Sequence, residues 1–373
     1  MCNQFTRCWA EIDIAALSSN VIELKSFGPE IIAVVKANAY GHDISIVVPA
    51  LQRYGVTRFS VATVDEAEQL RGLPNMDEAA IYLMAAVLAE DSDRIVKLNL
   101  VPFATDTEFV RRLSLSAQNA NKTASVHLEV DTGIGRAGVA LENLPATFAE
   151  WNELQGIAVT GICTHFTAAD SEDESDSRQQ LSTFESALKT IPSEQLASID
   201  IHAANSPAAI RLPHQIATLF RPGLLLYGIA PSSDFSRNFP FHPVLSLKAR
   251  VLLVRKLPKG TDISYSRTYR LQNDAVIATI GIGYGDGYPR RLSNIGKVIL
   301  PDGSLAPIRG RICMDQLCVE VADGCLVVPG DIVTLIGEHR GSEISVTEIT
   351  NVIDATPHEI TTCLTNRVPR VAV

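Results

Sequence analysis

The sequence predicts an α/β plus β protein: a (β/α)8 TIM-like barrel followed by a C-terminal, mostly β domain. Three observations carry this. Apolar strand-like runs alternate with helical stretches through the first part of the chain; the period changes after Pro240; and 373 residues is long for one domain and natural for two.

The order of elements follows from the pattern. A strand-like stretch over 8–13 precedes Ile14, Leu17, Val21 and Leu24, which share one helical face. Strands follow at 31–35, 58–63, 80–85, 100–104, 125–131, 159–166, 199–203 and 218–221. Helices are read at 45–54, 66–71, 107–119, 144–154 and 177–190, and Thr63-Val-Asp-Glu66 has capping-box spacing at the start of one of them. Eight such units over roughly 225 residues match the barrel's rhythm. An open doubly wound sheet competes, but no Gly-x-Gly-x-x-Gly follows the first strand. After Pro240, short β-rich runs at 244–257, 275–283, 296–300, 313–321 and 331–336 are separated by Pro-Lys-Gly, Pro-Asp-Gly and Pro-Gly-Asp turns. The expected domains are a barrel over 14–240 and a β domain over 241–373, with the N-terminal strand of 1–13 attached to the latter.

Composition narrows the function classes. The chain is 46% hydrophobic and 20% charged, as an ordinary globular protein is, and its net charge of −10 argues against non-specific binding to nucleic acid or anionic membrane. No stretch approaches the roughly 18 apolar residues of a membrane span, and the amino terminus lacks a charged head followed by an apolar segment. Seven scattered cysteines without Cys-x-x-Cys spacing read as free thiols in a cytoplasmic protein, with no metal site. The acidic run Asp170-Ser-Glu-Asp-Glu-Ser-Asp176 reads as a solvated loop feeding the positive end of the next helix, with a cation site as the alternative.

The stretch Ile31-Ile-Ala-Val-Val-Lys-Ala-Asn-Ala-Tyr-Gly-His42 delivers Lys36 to the carboxyl end of a buried strand. Either the amine reaches into water, or it is used: burial lowers a lysine's pKa and makes it a base or Schiff-base nucleophile. Barrel enzymes place chemistry at the carboxyl ends of strands, a rule that picks out Lys36, Arg136, His165, His202 and Arg221 together.

Seven stretches then fall into place. Val35-Lys-Ala-Asn-Ala-Tyr-Gly-His42, Val130-Asp-Thr-Gly-Ile-Gly-Arg-Ala-Gly138, His202-Ala-Ala-Asn-Ser206, Arg221-Pro-Gly, Ile263-Ser-Tyr265, Gly283-Tyr-Gly-Asp-Gly-Tyr-Pro289 and Arg309-Gly-Arg-Ile-Cys-Met-Asp315 closely resemble the alanine racemase family, in order and spacing from about residue 8 to 370. The resemblance implies a fold-type III pyridoxal 5'-phosphate (PLP) enzyme, a homodimer with sites built from both subunits, interconverting L- and D-alanine. It implies that Lys36 binds the cofactor aldehyde as an imine, and that Tyr40, Ser206 and the backbone of Gly223 and Leu224 hold the phosphate. By the same likeness Arg221 faces the pyridine nitrogen. An arginine keeps its proton, so the ring is a weak electron sink, which suits racemisation. Lys36 and Tyr265 of the other subunit would be the two opposed acid-base groups of the external aldimine, with His165, Arg221 and His202 supporting the phenol. Arg136 and the backbone of Met314 would take the substrate carboxylate, and Tyr284 and Asp315 would line the entrance.

The chain departs from that family at two places. Where the family frequently has a carbamylated lysine facing the arginine that matches Arg136, this chain has Glu129, an anion already. Where a tyrosine commonly precedes Arg-Val-Pro-Arg, it has Asn366, which opens volume and offers a carboxamide to a hydroxymethyl group; some racemisation of serine is expected beside alanine. The competing functional readings are a fold-type III PLP amino-acid decarboxylase, disfavoured by the arginine of Arg221-Pro-Gly, and a non-catalytic PLP-binding barrel, which would need Lys36 but not Tyr265.

Overall fold

The structure, a computed structural model, describes residues 6–27, 30–212, 217–232, 235 and 239–373. Cys2, one of the cysteines read as free thiols, lies outside them. The chain forms two compact units: one of Val21–Ala39 and Val47–Leu226, the other of the residues up to Asn20 with Tyr40–Ile46 and Tyr227–Val373.

Strand β1 (Cys8–Ile12) belongs to the second unit. The first unit is a ring of parallel strands: β2 (Glu30–Ile31), β3 (Ala33–Val34), β4 (Arg58–Val61), β5 (Ala80–Leu83), β6 (Leu100–Ala104), β7 (Ala124–Glu129), β8 (Ile157–Cys163), β9 (Asp200–His202) and β10 (Leu219–Phe220). β3 to β9 pair in sequence order. β10 pairs in parallel with β2, and Thr218 and Arg221 donate their backbone N–H groups to Ile201 and Ala204 at 2.8 and 2.9 Å, so the ring closes. β2 and β3 are one strand interrupted at Ile32, whose N–H donates to Phe220 O at 2.9 Å. Helices follow the strands, among them Val64–Arg71, Thr107–Asn119, Leu144–Glu153 and Ser175–Leu188. The first of these carries the capping box expected for it: Thr63 accepts from Glu66 N, and the Glu66 carboxylate from Thr63 N. Apolar strand faces fill the interior, where Ile32, Tyr82, Phe103, Cys163 and Leu219 form one cluster. The acidic run lies at the start of Ser175–Leu188, and among the described residues no group of His, Cys, Asp or Glu side chains is placed to hold a metal.

The second unit centres on the 13-residue strand β11 (Leu245–Leu257). β12 (Asp262–Ile263) and β13 (Tyr269–Arg270) form a small hairpin. β14 (Ala275–Ile280), β15 (Lys297–Ile299), β16 (Leu305–Pro307), β17 (Leu317–Val321), β18 (Ile332–His339), β19 (Ser342–Ile344) and β20 (Arg370–Ala372) complete the main sheet, in the order β16-β15-β18-β11-β1-β20, with β14 and β17 continuing from β11 and β19 from β18. β1 pairs antiparallel with β11 and parallel with β20, so the amino-terminal strand sits inside this sheet. Two helices, Val346–Ile353 and Pro357–Thr362, lie among the strands of this mostly β unit, where the reading of the sequence places none. The first is signalled by Ser345, which accepts from Glu348 N at 3.0 Å as an N-cap should.

Candidate active site

Val35 ends the first barrel strand, its N–H donating to Ser60 O at 2.9 Å, and Lys36 follows. The chain then turns the wrong way. Ala37, Asn38, Ala39 and Tyr40 all take left-handed backbone angles, with φ of 50°, 54°, 55° and 53°. Each costs an L-residue about 1–2 kcal/mol, so the turn persists because its surroundings hold it. Ala39 N donates to Val35 O at 2.8 Å, and Ala37 N to the Glu66 carboxylate at 2.7 Å. Glu66 thus ties the Lys36 turn to the start of its neighbouring helix. Burial, and after it the charge of Arg136, push the Lys36 amine below its ordinary range, while Glu66 pulls the other way. An amine so placed is neutral more readily than a free lysine.

Arg221 follows β10 and is buried. Its Nη2 donates to Thr164 O at 2.8 Å, Ala203 O at 3.0 Å and His165 Nδ1 at 3.1 Å; its Nη1 donates to His202 Nδ1. Nε is buried and has no hydrogen-bond partner among the described residues. His202 in turn contacts His127, Nε2 to Nδ1, at 2.7 Å. Burial first, with help from nearby guanidinium groups, pushes His165 and His127 down to about 3 and His202 well below its usual range. All three imidazoles are therefore neutral at pH 7. His127 was not read from the sequence. Its only signal is its place two residues before Glu129 on one strand, which puts both side chains on the same face.

Ser206 accepts at Oγ from Gly223 N at 2.9 Å and from Leu225 N at 3.3 Å, and Leu224 is buried between them in sequence. The Ser206 and Gly223 segments are thus joined as the motif spacing expects. Glu129 is 5% exposed at the end of β7. Burial pushes its carboxyl up, and Arg221 and Arg136 pull it down; no hydrogen bond joins it to Arg136 among the described residues. Arg136 is exposed, on a loop wrapped around Asp131, whose carboxylate accepts from Gly133 N at 2.9 Å and Gly135 N at 3.1 Å. Gln180 fixes the neighbouring loop by donating to Thr132 Oγ1 and His165 O, each at 3.3 Å. The barrel unit therefore brings together Lys36, Glu129, Arg136, His165, His202, Ser206, Arg221 and Gly223.

The other residues that the sequence singles out lie in the second unit. Tyr40 is buried, stacked on Tyr227 with ring centroids 5.1 Å apart and tilted against His358 at 5.3 Å. Burial raises its phenol well above the ordinary range, so it is a hydrogen-bond donor at neutral pH. Tyr265 is 70% exposed. It sits in a turn where Ser264, Ser266 and Arg267 have φ of 63°, 61° and 50°, and Ser264 Oγ is held by Arg311 O and by Cys313 Sγ at 3.3 Å. The loop that grips Ser264 also carries Met314. Tyr284 N donates to Cys313 O at 3.0 Å and Gly285 N to Met314 O at 2.9 Å, so Tyr284 and Met314 share one loop pair. Asp315 bonds Arg367 Nη2 at 2.5 Å, beside exposed Asn366.

Comparison with known proteins follows the same division. Residues 12–231 match the family model "Alanine racemase, N-terminal domain" and residues 244–372 "Alanine racemase, C-terminal domain". The chain is 37% identical over 367 residues to an alanine racemase of Halothermothrix orenii, covering 97% of this chain and 96% of that one, and 37% identical over 370 residues to one of Carboxydothermus hydrogenoformans, covering 98% and 99%. Among solved structures it superposes with TM-score 0.91 on an alanine racemase from Streptomyces coelicolor A3(2), at 32% identity over 99% of both chains. It superposes with TM-score 0.88 on one from Bartonella henselae with covalently bound pyridoxal phosphate, at 29% identity over 98% of this chain and 99% of that one. With both halves matched in order and nearly the whole length aligned, the chain belongs to the alanine racemase family.

Proposed function

We propose that the chain interconverts L- and D-alanine with pyridoxal 5'-phosphate as its cofactor, acting as a cytoplasmic homodimer with Lys36 and Tyr265 as the two acid-base groups. The observation that carries this is Arg221. Four contacts occupy its two terminal nitrogens, and its buried Nε is left as a donor without an acceptor. A buried unpaired donor costs about 1–3 kcal/mol, and a pyridine nitrogen is the acceptor that would remove that cost. The donor set fits the cofactor elsewhere too: a strand-end amine with lowered pKa, a serine hydroxyl beside backbone N–H groups, and a protonated phenol at Tyr40.

Bound pyridoxal phosphate supplies the electron sink that acidifies the Cα proton of an amino acid. Arg221 keeps its proton, so a ring nitrogen held against it would stay unprotonated and the sink would be a weak one, which would favour return of a proton to Cα. A decarboxylase or transaminase gains from an acidic partner there, which is why this contact favours racemisation. Lys36, held below its ordinary range, takes or gives the proton on one face of Cα. On the other face the partner subunit's Tyr265 does the same. A phenol is a weak base at neutral pH and needs a donor facing its oxygen. His165 is suited to that, because its Nδ1 accepts from Arg221 and its proton therefore lies on Nε2. Arg136 binds the substrate carboxylate together with the backbone of Met314, and Glu129 supplies Arg136 with a nearby anion. Tyr284 and Asp315 line the entrance, and Asn366 in place of a phenol admits serine as a slower substrate. The six described cysteines are free, as suits a reducing compartment.

The test is to incubate the purified chain and pyridoxal phosphate with L- or D-alanine in deuterated water, with serine in parallel. Loss of the α-hydrogen from both enantiomers, with appearance of the opposite one, is expected. Amine and carbon dioxide without racemisation would mark a decarboxylase, and cofactor binding without exchange a carrier.

A further inference from the structure

We propose that His127 is a positioning residue for Arg221: it accepts the Nε2–H of His202, and His202 held in this way takes Nη1 of Arg221 and fixes the plane of the guanidinium whose buried Nε has no partner among the described residues. This rests on the reading of Arg221 as the group that faces the cofactor ring.

The argument starts from the arginine, because a guanidinium only donates. Nη1 of Arg221 meets His202 Nδ1, so that nitrogen accepts. A neutral imidazole that accepts at Nδ1 carries its proton on Nε2. His202 Nε2 lies 2.7 Å from His127 Nδ1, so His202 donates and His127 accepts, which places the His127 proton on its own Nε2. The other flank obeys the same logic: Nη2 shares its two N–H groups among Thr164 O, Ala203 O and, at 3.1 Å, His165 Nδ1, and a guanidinium nitrogen accepts nothing in return. One arginine thereby sets the tautomers of three histidines. Burial and the surrounding guanidiniums keep the row neutral, as this requires.

The site is built for an imidazole. His127 is 1% exposed, lies parallel to Phe103 at 7° with ring centroids 5.9 Å apart, and meets Tyr82 edge-on at 5.1 Å. Space for it exists because Gly161 on the adjacent strand has no side chain, and a Cβ there would stand 2.6 Å from the ring. A phenylalanine would fill this space equally well. What the histidine adds is an acceptor at Nδ1. Without it the buried Nε2–H of His202 has no partner, its ring is no longer pinned, and Nη1 of Arg221 loses a fixed acceptor.

Two measurements test this. Nitrogen-15 NMR of the histidine rings in the isolated wild-type chain reads the tautomers directly, and His127, His165 and His202 are all expected with the proton on Nε2. A His202 proton on Nδ1 would overturn the proposal whatever the variants do. In the cofactor-loaded enzyme, His127→Phe is expected to raise the pyridoxal phosphate dissociation constant about tenfold and lower kcat for alanine about tenfold with KM little changed, whereas His127→Gln, whose amide oxygen accepts, restores most of both. A lower Tm for His127→Phe with native cofactor affinity and kcat would make His127 a core residue only, against the proposal. Correct tautomers in a wild-type chain that does not racemise alanine would sink the functional reading and leave the histidine row standing.

Discussion

Gly161 and His127 face each other across adjacent parallel strands, and they fit because one of them has no side chain: a Cβ on Gly161 would stand 2.6 Å from the His127 imidazole. The ring cannot retreat, since Phe103 and Tyr82 pack against it and His202 bonds it. Gly161→Ala should therefore destabilise the chain by about 1–3 kcal/mol, the usual cost of overpacking, read as a lower urea midpoint at unchanged slope. In a His127→Ala background the same change should cost close to nothing, because the atom it strikes is gone.

This pair also shows where sequence reading stops. Lys36, Arg136, His165, His202 and Arg221 were legible because the alternation of strands and helices locates strand ends, and barrel chemistry gathers there. His127 was not, because it lies within a strand and its partner His202 is 75 residues further on. The left-handed turn from Ala37 to Tyr40 was equally hidden: it contains no glycine, and contacts with residues distant in sequence such as Glu66 and Tyr227 help to hold it. The helices at Val346–Ile353 and Pro357–Thr362 were a lesser omission, since Ser345-Val-Thr-Glu348 carried a capping signal that the surrounding β-rich pattern overrode.

Acid should unfold the chain along the histidine row. His127 and His165 are held down to about 3 in the folded state, against 6.5 for the ordinary side chain. Above about 6.5 these rings are neutral folded or unfolded and cost nothing. Below it the unfolded chain takes up protons that the folded chain refuses, so stability falls with falling pH from about 6.5 toward 3. Urea midpoints measured from pH 7.5 to 5 should decline, and His127→Gln, which removes one titrating ring, should decline less steeply. Equal slopes would mean that His127 is not held neutral by the fold.

Glu129 is a buried carboxyl that burial and Asp131 push up and Arg221 and Arg136 pull down. Glu129→Gln keeps its shape and removes its charge. If the carboxylate steadies Arg136 for the substrate, KM for alanine should rise several-fold, up to about tenfold, with a smaller change in kcat. Stability should hold or improve, because a buried carboxyl with no hydrogen-bonded side-chain partner among the described residues costs desolvation when ionised. Unchanged KM and kcat would remove Glu129 from the site.

Asn366 lies between Thr365, whose N–H is anchored to Asp286 O at 3.0 Å, and Arg367, which is bonded to Asp315, so the backbone that presents it is fixed while its side chain is exposed. Asn366→Tyr should narrow the space beside the substrate and withdraw a carboxamide from serine's hydroxyl. The ratio of kcat/KM for serine to that for alanine should fall about tenfold, roughly one hydrogen bond's worth of discrimination. The same ratio in both proteins would show that this position does not read the side chain.

Tyr265 is a candidate site side chain that its own fold leaves open, 70% exposed on a turn with three left-handed residues, Ser264, Ser266 and Arg267. A strained turn that presents a phenol outward is consistent with service to a second copy. If the site is shared, Lys36→Ala and Tyr265→Phe should each be nearly inactive alone, since each removes one of the two acid-base groups from every site. Mixed under conditions that exchange subunits, half of the dimers become hybrids, and each hybrid has one site with both mutations and one with neither. Activity should then return to about one quarter of wild type, half the dimers with one working site of two. If each chain used its own Tyr265, every site would carry one mutation or the other, and mixing would restore nothing.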